Sequence, residues 1–297
     1  DIPHPERSGL FLYLNTNKKG ITLDPETRTG RKIFLELVKW ADILIEDKPP
    51  KEIERLGFTY DRLKEVNPQL IMTSITPFGQ TGPYRDYKAY PLNVVHGAGS
   101  GYLAPGGSQN LEREPVKSTS FSDDAACGIS AAFATICALL PRWSTGVGQH
   151  IDVSKQEALM AMDQVELCQY PNEGKVASRK VDPRMAIRVT PCKDGDMMVI
   201  AMDDRQWNGL VSMMDEPEWA KDEIFKDILS RMQHMGEMLK NVAPWAMQHT
   251  RDEMYHTGQE RGAPVAPIRS IEEAANWQQF KERDFFVEID HPKAGRI

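Results

Sequence analysis

The 297-residue chain predicts an α/β protein with a parallel sheet, and three observations lead there. Helical stretches alternate with short apolar, β-branched runs through roughly the first 165 residues, which implies βαβ crossovers. Within that region Ile33, Leu37 and Trp40 recur at helical spacing directly before the run ADILIE. Composition then shifts near Tyr170, marking a second, smaller region.

In order, LFLYLN (10–15) reads as a short strand. NTNKKGITLD follows as a turn built on Asn15, Asn17 and Gly20, and it presents Lys18 and Lys19. PETRTGRKIFLELVKW and ADILIED form a first αβ unit. KEIERLGFTYDRLKEVNPQ, helical with a break near Gly57, and the β-branched LIMTSIT form a second. The loop PFGQTGPYRDYKAYP comes after that strand, on the side where ligand crevices open in such sheets. VVHGAGSGYLAPGGS is glycine-rich but matches neither a Walker loop nor a strand–GxGxxG–helix context.

STSFSDDAACGISAAFATICALL, Ser118 to Leu140, then reads as a long buried helix. Ser120, Ser122, Asp123 and Asp124 open it, small residues fill its first half and Pro141 ends it. Free N–H groups and the helix dipole favour an ionised Asp124 in its first turn. On this stretch alone a capping role outweighs a catalytic one. The turn RWSTGVGQ, the strand HIDVS and the helix KQEALMAMDQVEL complete a large domain over residues 1–165.

Residues 166–187 are polar and irregular and read as a linker. Residues 188–270 form a small α+β domain. It holds a hairpin turn and strand in KDGDMMVIAMDD, then Met- and Trp-rich amphipathic helices whose methionines fill a core. Residues 271–297 return to the large domain. The polar start at Asp1 and the stop at Ile297 read as the ends of a segment of a longer protein.

The totals narrow the function. With 36 basic against 43 acidic residues and a net charge of −7, a nucleic-acid partner is not expected. No apolar run reaches the length of a membrane span and no signal peptide is visible, so no membrane partner is expected. The four cysteines show no metal or redox spacing, and reduced, mostly buried thiols in a cytoplasmic protein are the simplest reading. His249 and His256 lie seven apart without acidic or thiol partners, so no metal site is expected.

The ordered set NTNKKGITLD, ADILIED, RLGFTYDRLKEVNPQLI, SITPFGQTGPY, SDDAACG, STGVGQHIDVSKQEA, KDGDMMVIAM, GAPVAPIRSIEEA and RDFFVEIDHPKAG resembles the class III coenzyme A transferase (CaiB/BaiF) family across the whole chain. The resemblance implies a Rossmann-like large domain, an interlocked homodimer, and the absence here of an N-terminal strand–helix segment and a C-terminal piece. It also implies transfer of coenzyme A from an acyl-CoA to a small carboxylic acid. Coenzyme A and acyl-CoA are then substrates, with no permanently bound cofactor. The family nucleophile, an Asp four residues before a Gly at the start of the central helix, carries over to Asp124 with Gly128. Coenzyme A contacts carry over to Leu23, Asp47, Lys48, Arg55, Lys88 and Tyr90.

One departure stands out. The family's ENF-x-PG is EDKPPK here, which removes the aromatic ring from the position of Lys48. Lys18, Arg55 and Lys88 would neutralise nucleotide phosphates, whereas Lys19 and Lys51 read as solvated charges. Backbone N–H groups of 97–107 would stabilise an oxyanion.

Three alternatives stay open. An α-methylacyl-CoA racemase needs a His opposite Asp124; Ala89-Tyr90-Pro91 stands at that position, and His96 is the nearest substitute. A non-catalytic coenzyme A-binding subunit would bind without exchange. Cys127 could serve as nucleophile, against which its apolar setting argues.

Overall fold

A computed structural model describes residues 8–106, 110–117, 121–180, 187–201 and 203–297. Ser118 and Ser120, expected near the start of the central helix, and Gly107 of the glycine-rich stretch lie outside them. The described residues fall into two compact units, one within Lys19–Val181 and one joining the first residues, up to Lys18, to Asp182–Ile297.

The first element departs from expectation. Gly9–Leu14 is a helix, α1, rather than a strand, with Ser8 Oγ accepting from the Phe11 N–H at 3.3 Å. A short apolar run carries no periodicity that separates the two states, and here the Ser8 cap settles it. Lys18 closes the far end of α1, donating to Leu14 O at 2.7 Å.

The Lys19–Val181 unit is the α/β one. α2 (Arg28–Trp40) starts on Thr27, whose Oγ1 accepts from Gly30 N at 3.0 Å. A Cβ at Gly30 would stand 1.8 Å from Asp24 O, so only glycine lets the chain fold back that closely. β1 (Ile43–Glu46), α3 (Pro50–Leu56), α4 (Tyr60–Val66) and β2 (Ile71–Thr76) follow. Pro50 opens α3, and Gly57, left-handed at φ 68°, breaks it from α4. Asn67 donates to both Val38 O and Ala41 O at 2.9 Å, satisfying the loose carbonyls at the end of α2.

α5 (Pro91–Ala98) and α6 (Ser100–Leu103) lead to α7 (Ser122–Thr145), then β3 (His150–Ser154), α8 (Lys155–Met160) and α9 (Gln164–Glu173). β2 lies between β1 and β3, parallel to both, in the registers Ile43↔Ile71 and Met72↔His150. Its central position explains why Ile71 to Ser74 are all buried. One face is covered by α2, α3 and α4 through Val38, Ile53, Leu56, Phe58 and Leu63. α7 packs on the sheet through Thr135, whose hydroxyl lies 2.7 Å from that of Thr73 on β2.

Three expectations need correction. Pro141 does not end α7, which continues to Thr145 and closes on left-handed Gly146; Ser144 and Thr145 hydroxyls donate to Pro141 O at 3.0 and 2.7 Å, consolidating the extra turn. α7 has the length, and within it an apolar 18-residue stretch, to cross a membrane, although no uninterrupted apolar run in it does. Ile129, Phe133, Ile136, Leu139 and Leu140 make it apolar together with the alanines, and the face turned to the sheet carries the buried Thr135. Finally, the helix expected over KQEALMAMDQVEL breaks into α8 and α9, and 166–173 of the expected linker are helical until left-handed Gly174 stops them.

The other unit is built on an antiparallel sheet of β4 (Ile187–Cys192), β5 (Gly195–Ile200) and β6 (Val265–Pro267). α10 (Asp204–Met213), α11 (Ile228–Gln233), α12 (Met235–Ala246) and α13 (Arg251–Arg261) complete it. Met197, Met213, Met235, Met238 and Met254 pack with Trp207, Leu210 and Phe225, so the methionines do fill the core. Buried Arg231 pairs with Asp204, donates to Phe225 O at 3.1 Å and lies over the Trp207 ring. α14 (Ile271–Ala275), α15 (Gln278–Glu282) and the hairpin of β7 (Asp290–His291) and β8 (Gly295–Arg296) group with this unit rather than with the large one. Arg251–Glu273 (2.6 Å) and Tyr255 against Trp277 tie down α14 and the start of α15. Of the four cysteines, Cys127 and Cys192 are buried but Cys137 and Cys168 are exposed, so the thiols are not mostly buried.

Candidate active site

Strands β1, β2 and β3 run in one direction, so their carboxyl ends open on one edge of the sheet. Ligands sit outside that edge in open α/β sheets. Asp47 and Lys48 follow β1, the 77–90 loop follows β2, and Lys155 follows β3.

Two cavities lie here. The larger, about 810 Å³, is walled by Asp47, Arg55, Lys88 and Tyr90 together with Arg85 and Tyr87. The smaller, about 490 Å³, is walled by Leu23, Asp47, Lys48, Phe34 and Phe58 among others. Asp47 and Glu52 line both. The six residues expected to contact coenzyme A, scattered over 68 positions from Leu23 to Tyr90, are thus brought together around two adjoining spaces. Lys51 also borders the larger cavity and is exposed, as a solvated charge would be. Lys18 lines neither; it is spent on the end of α1.

Most of the cations at this edge already hold carboxylates. Arg55 meets Glu26 at 2.6 Å, which holds the Glu26 carboxyl below its ordinary range and raises the Arg55 guanidinium. Arg85 pairs with Glu54, and Lys48 approaches Glu52 at 3.8 Å. Lys88 is exposed and has no ion-pair partner among the described residues.

Asp124 lies in the first turn of α7 and lines neither cavity. Lys155 Nζ donates to its Oδ1 at 3.0 Å, both side chains being about one-third exposed. Beside it, Asp123 pairs with Lys117 at 2.8 Å. Cys127, one turn on, is buried against Val94, Val95, Ala98 and Leu159, and burial pushes its thiol up, away from the reactive thiolate. His96 is exposed on α5, with its ring over Gly101, where a Cβ would stand 2.0 Å from Nδ1.

α5 connects the two places. It begins beside Lys88 and Tyr90 on the cavity wall, and at its far end Gly97 O accepts from Gln156 Nε2 at 2.7 Å, next to Lys155. Eight residues of helix span about 12 Å.

Lys155, the cation that meets Asp124, is a residue the sequence reading did not single out. Its signal was positional: it is the first residue beyond a parallel strand, at the same edge as Lys48 and the 77–90 loop. Arg85 and Tyr87, in the loop already expected to face ligand, were likewise not singled out.

Comparison with known proteins places the chain in a family. The chain is 28% identical over 316 residues to a formyl-CoA:oxalate CoA-transferase of Streptomyces avermitilis, covering all of this chain and 76% of the relative. The same name belongs to a Bradyrhizobium protein, also 28% identical, over 321 residues and 74% of its length. Among solved structures, a CAIB/BAIF family protein from Brucella suis superposes with a TM-score of 0.73 at 28% identity, over 94% of this chain and 76% of that one. A Mycobacterium tuberculosis protein at 23% identity, with a TM-score of 0.80 over 93% of this chain and 72% of its own, shares the fold. The family model for CoA-transferase family III matches residues 2–297. With the mixed α/β fold, the parallel sheet and this ordered set of motifs, the chain belongs to CoA-transferase family III and is an enzyme of the CoA-transferase type.

Proposed function

We propose that this protein transfers coenzyme A from an acyl-CoA to a small carboxylic acid, with Asp124 as nucleophile. The relatives act on formyl-CoA and oxalate by name, and these are the first substrates to try. The observation that supports the reading is the Asp124–Lys155 pair, one short helix away from the cavity walled by Arg55, Lys88 and Tyr90.

In this reading an Asp124 oxygen attacks the thioester carbonyl; the C–O bond forms, the C–S bond breaks, and coenzyme A leaves as thiolate. The thiolate attacks the aspartyl carbonyl of the resulting anhydride and releases the first acid as its carboxylate. The acceptor carboxylate then attacks the aspartyl thioester, again expelling the thiolate. That thiolate finally takes the acceptor acyl group and returns Asp124 to its starting form. One thioester is exchanged for another, so no permanently bound cofactor is required, and covalent catalysis divides one hard exchange into easier steps.

Lys88 and the guanidinium of Arg55 would hold phosphates, Arg55 once Glu26 gives way, and the exposed Tyr87 and Tyr90 rings would face the adenine. N–H groups of the 97–106 stretch would stabilise the tetrahedral oxyanion. Two copies would form an interlocked, cytoplasmic homodimer. The outward face of α7 supports the pairing: Ile129, Phe133, Ile136, Leu140 and Trp143, spaced four and three apart, are all exposed in the single chain.

The test is Asp124→Asn, assayed with formyl-CoA and oxalate and then a panel of acyl-CoA donors. Exchange should fall by several orders of magnitude. A hydroxylamine-sensitive adduct of coenzyme A mass should map to Asp124 in the unsubstituted chain. Exchange retained in the variant, or an adduct on Cys127, would overturn the assignment.

A further inference from the structure

We infer that Lys155 is a switching anchor for the carboxylate of the acid substrate, and so the residue that receives the acceptor. This rests on Asp124 being acylated during turnover, as proposed above.

In the resting chain the ammonium of Lys155 is 3.0 Å from Asp124 Oδ1 and about one-third exposed. Its backbone is fixed: Lys155 O accepts from the Cys127 thiol at 3.6 Å, and Ser154 caps the turn by accepting from Glu157 N at 3.3 Å. The neighbouring Lys117 is taken up by Asp123 at 2.8 Å. Two lysines therefore balance two aspartates around the start of α7.

Acylation removes one of those four charges. As an anhydride or a thioester Asp124 is neutral, and Lys155 is left as a cation without its counter-charge, partly withdrawn from water. A carboxylate arriving there restores the balance, with its oxygen placed beside the aspartyl carbonyl it must attack. The ligand class is thus a small organic carboxylate, and the affinity appears only when Asp124 is uncharged. No additional covalent step is involved.

Asp124→Asn mimics the neutral state without needing turnover. Oxalate and propionate binding to the full chain should be measured by titration calorimetry, with circular dichroism confirming that each variant is folded. Asp124→Asn should bind at least one of these acids tenfold or more tighter than the unsubstituted chain. Adding Lys155→Met should abolish that gain, and adding Lys155→Arg should keep most of it. No gain in Asp124→Asn, or a gain that survives Lys155→Met, overturns the inference.

Kinetics give a second readout. Lys155→Met alone should raise the KM for the acceptor acid at least tenfold, a larger effect than its slowing of trapped-adduct formation from acyl-CoA. Equal loss in both halves would show a merely structural role and overturn the inference. If Asp124→Asn still exchanges coenzyme A, the proposed nucleophile fails, yet the binding comparison still decides whether Lys155 holds a carboxylate.

Discussion

The hydroxyl pair that seats α7 on the sheet gives an asymmetric prediction. Thr135 Oγ1 donates to Ala131 O at 2.6 Å and lies 2.7 Å from Thr73 Oγ1, and both residues are buried. A hydroxyl has one proton, so Thr135 gives its own to Ala131 and Thr73 must donate to Thr135. Thr135→Val therefore strands the Thr73 hydroxyl inside the central strand, at about 1–3 kcal/mol. Thr73→Val removes a donor but leaves the proton of Thr135 satisfied, and should cost about 0.5–1.5 kcal/mol. With both replaced no polar group is orphaned, so the double variant should be more stable than Thr135→Val alone. Urea titrations with an unchanged m-value measure all three. Costs that simply add, or Thr73→Val proving the more damaging single change, would refute the assigned direction of the hydrogen bond.

Other expectations follow from the same geometry. Lys88→Ala should raise the KM for acyl-CoA about tenfold, the weight of one charge-assisted phosphate contact of about 1.5 kcal/mol. Glu26→Gln should lower that KM, because it frees Arg55; steady-state kinetics read both. Gly148→Ala places a Cβ 1.9 Å from Leu70 O, against backbone that cannot step aside, and should cost about 3 kcal/mol or more in a denaturation curve. Glu273 is held down to about 2 by Arg251 and the Ser270 N–H. A carboxyl lowered on folding stabilises above its unfolded value, near 4.5, and that support is lost as the pH falls toward 2. Glu273→Gln should flatten the stability profile in that window, as followed by fluorescence in an acid titration.

Legibility tracked how local the physical cause was. The α/β units could be read because Ile71 to Thr76 is β-branched and buried on both faces, and because Gly57 and Pro50 punctuate the helices. α1 could not, since the five consecutive apolar and aromatic residues Leu10 to Leu14 fit either state and Ser8 decides between them. Pro141 misled because hydroxyls of Ser144 and Thr145, invisible to a rule about proline, consolidate the following turn. The six positions expected to contact coenzyme A came from the family resemblance alone, and the fold gathers them around two adjoining cavities. Lys155 was missed because its partner lies 31 residues away, a pairing that only the tertiary structure creates.

The way α7 is held has a mechanical consequence. Its middle is bolted to β2 at Thr135, and its far end is clamped where Arg142 meets Asp42 at 2.6 Å. The end that bears Asp124 is gripped by two lysines, 117 and 155, reaching in from flanking chain. Such a rod behaves as a cantilever, stiff at its root and steered at its tip by charges that salt can loosen. Warming or added electrolyte should therefore misalign the working end well before the scaffold gives way, so that inactivation and melting become separate events.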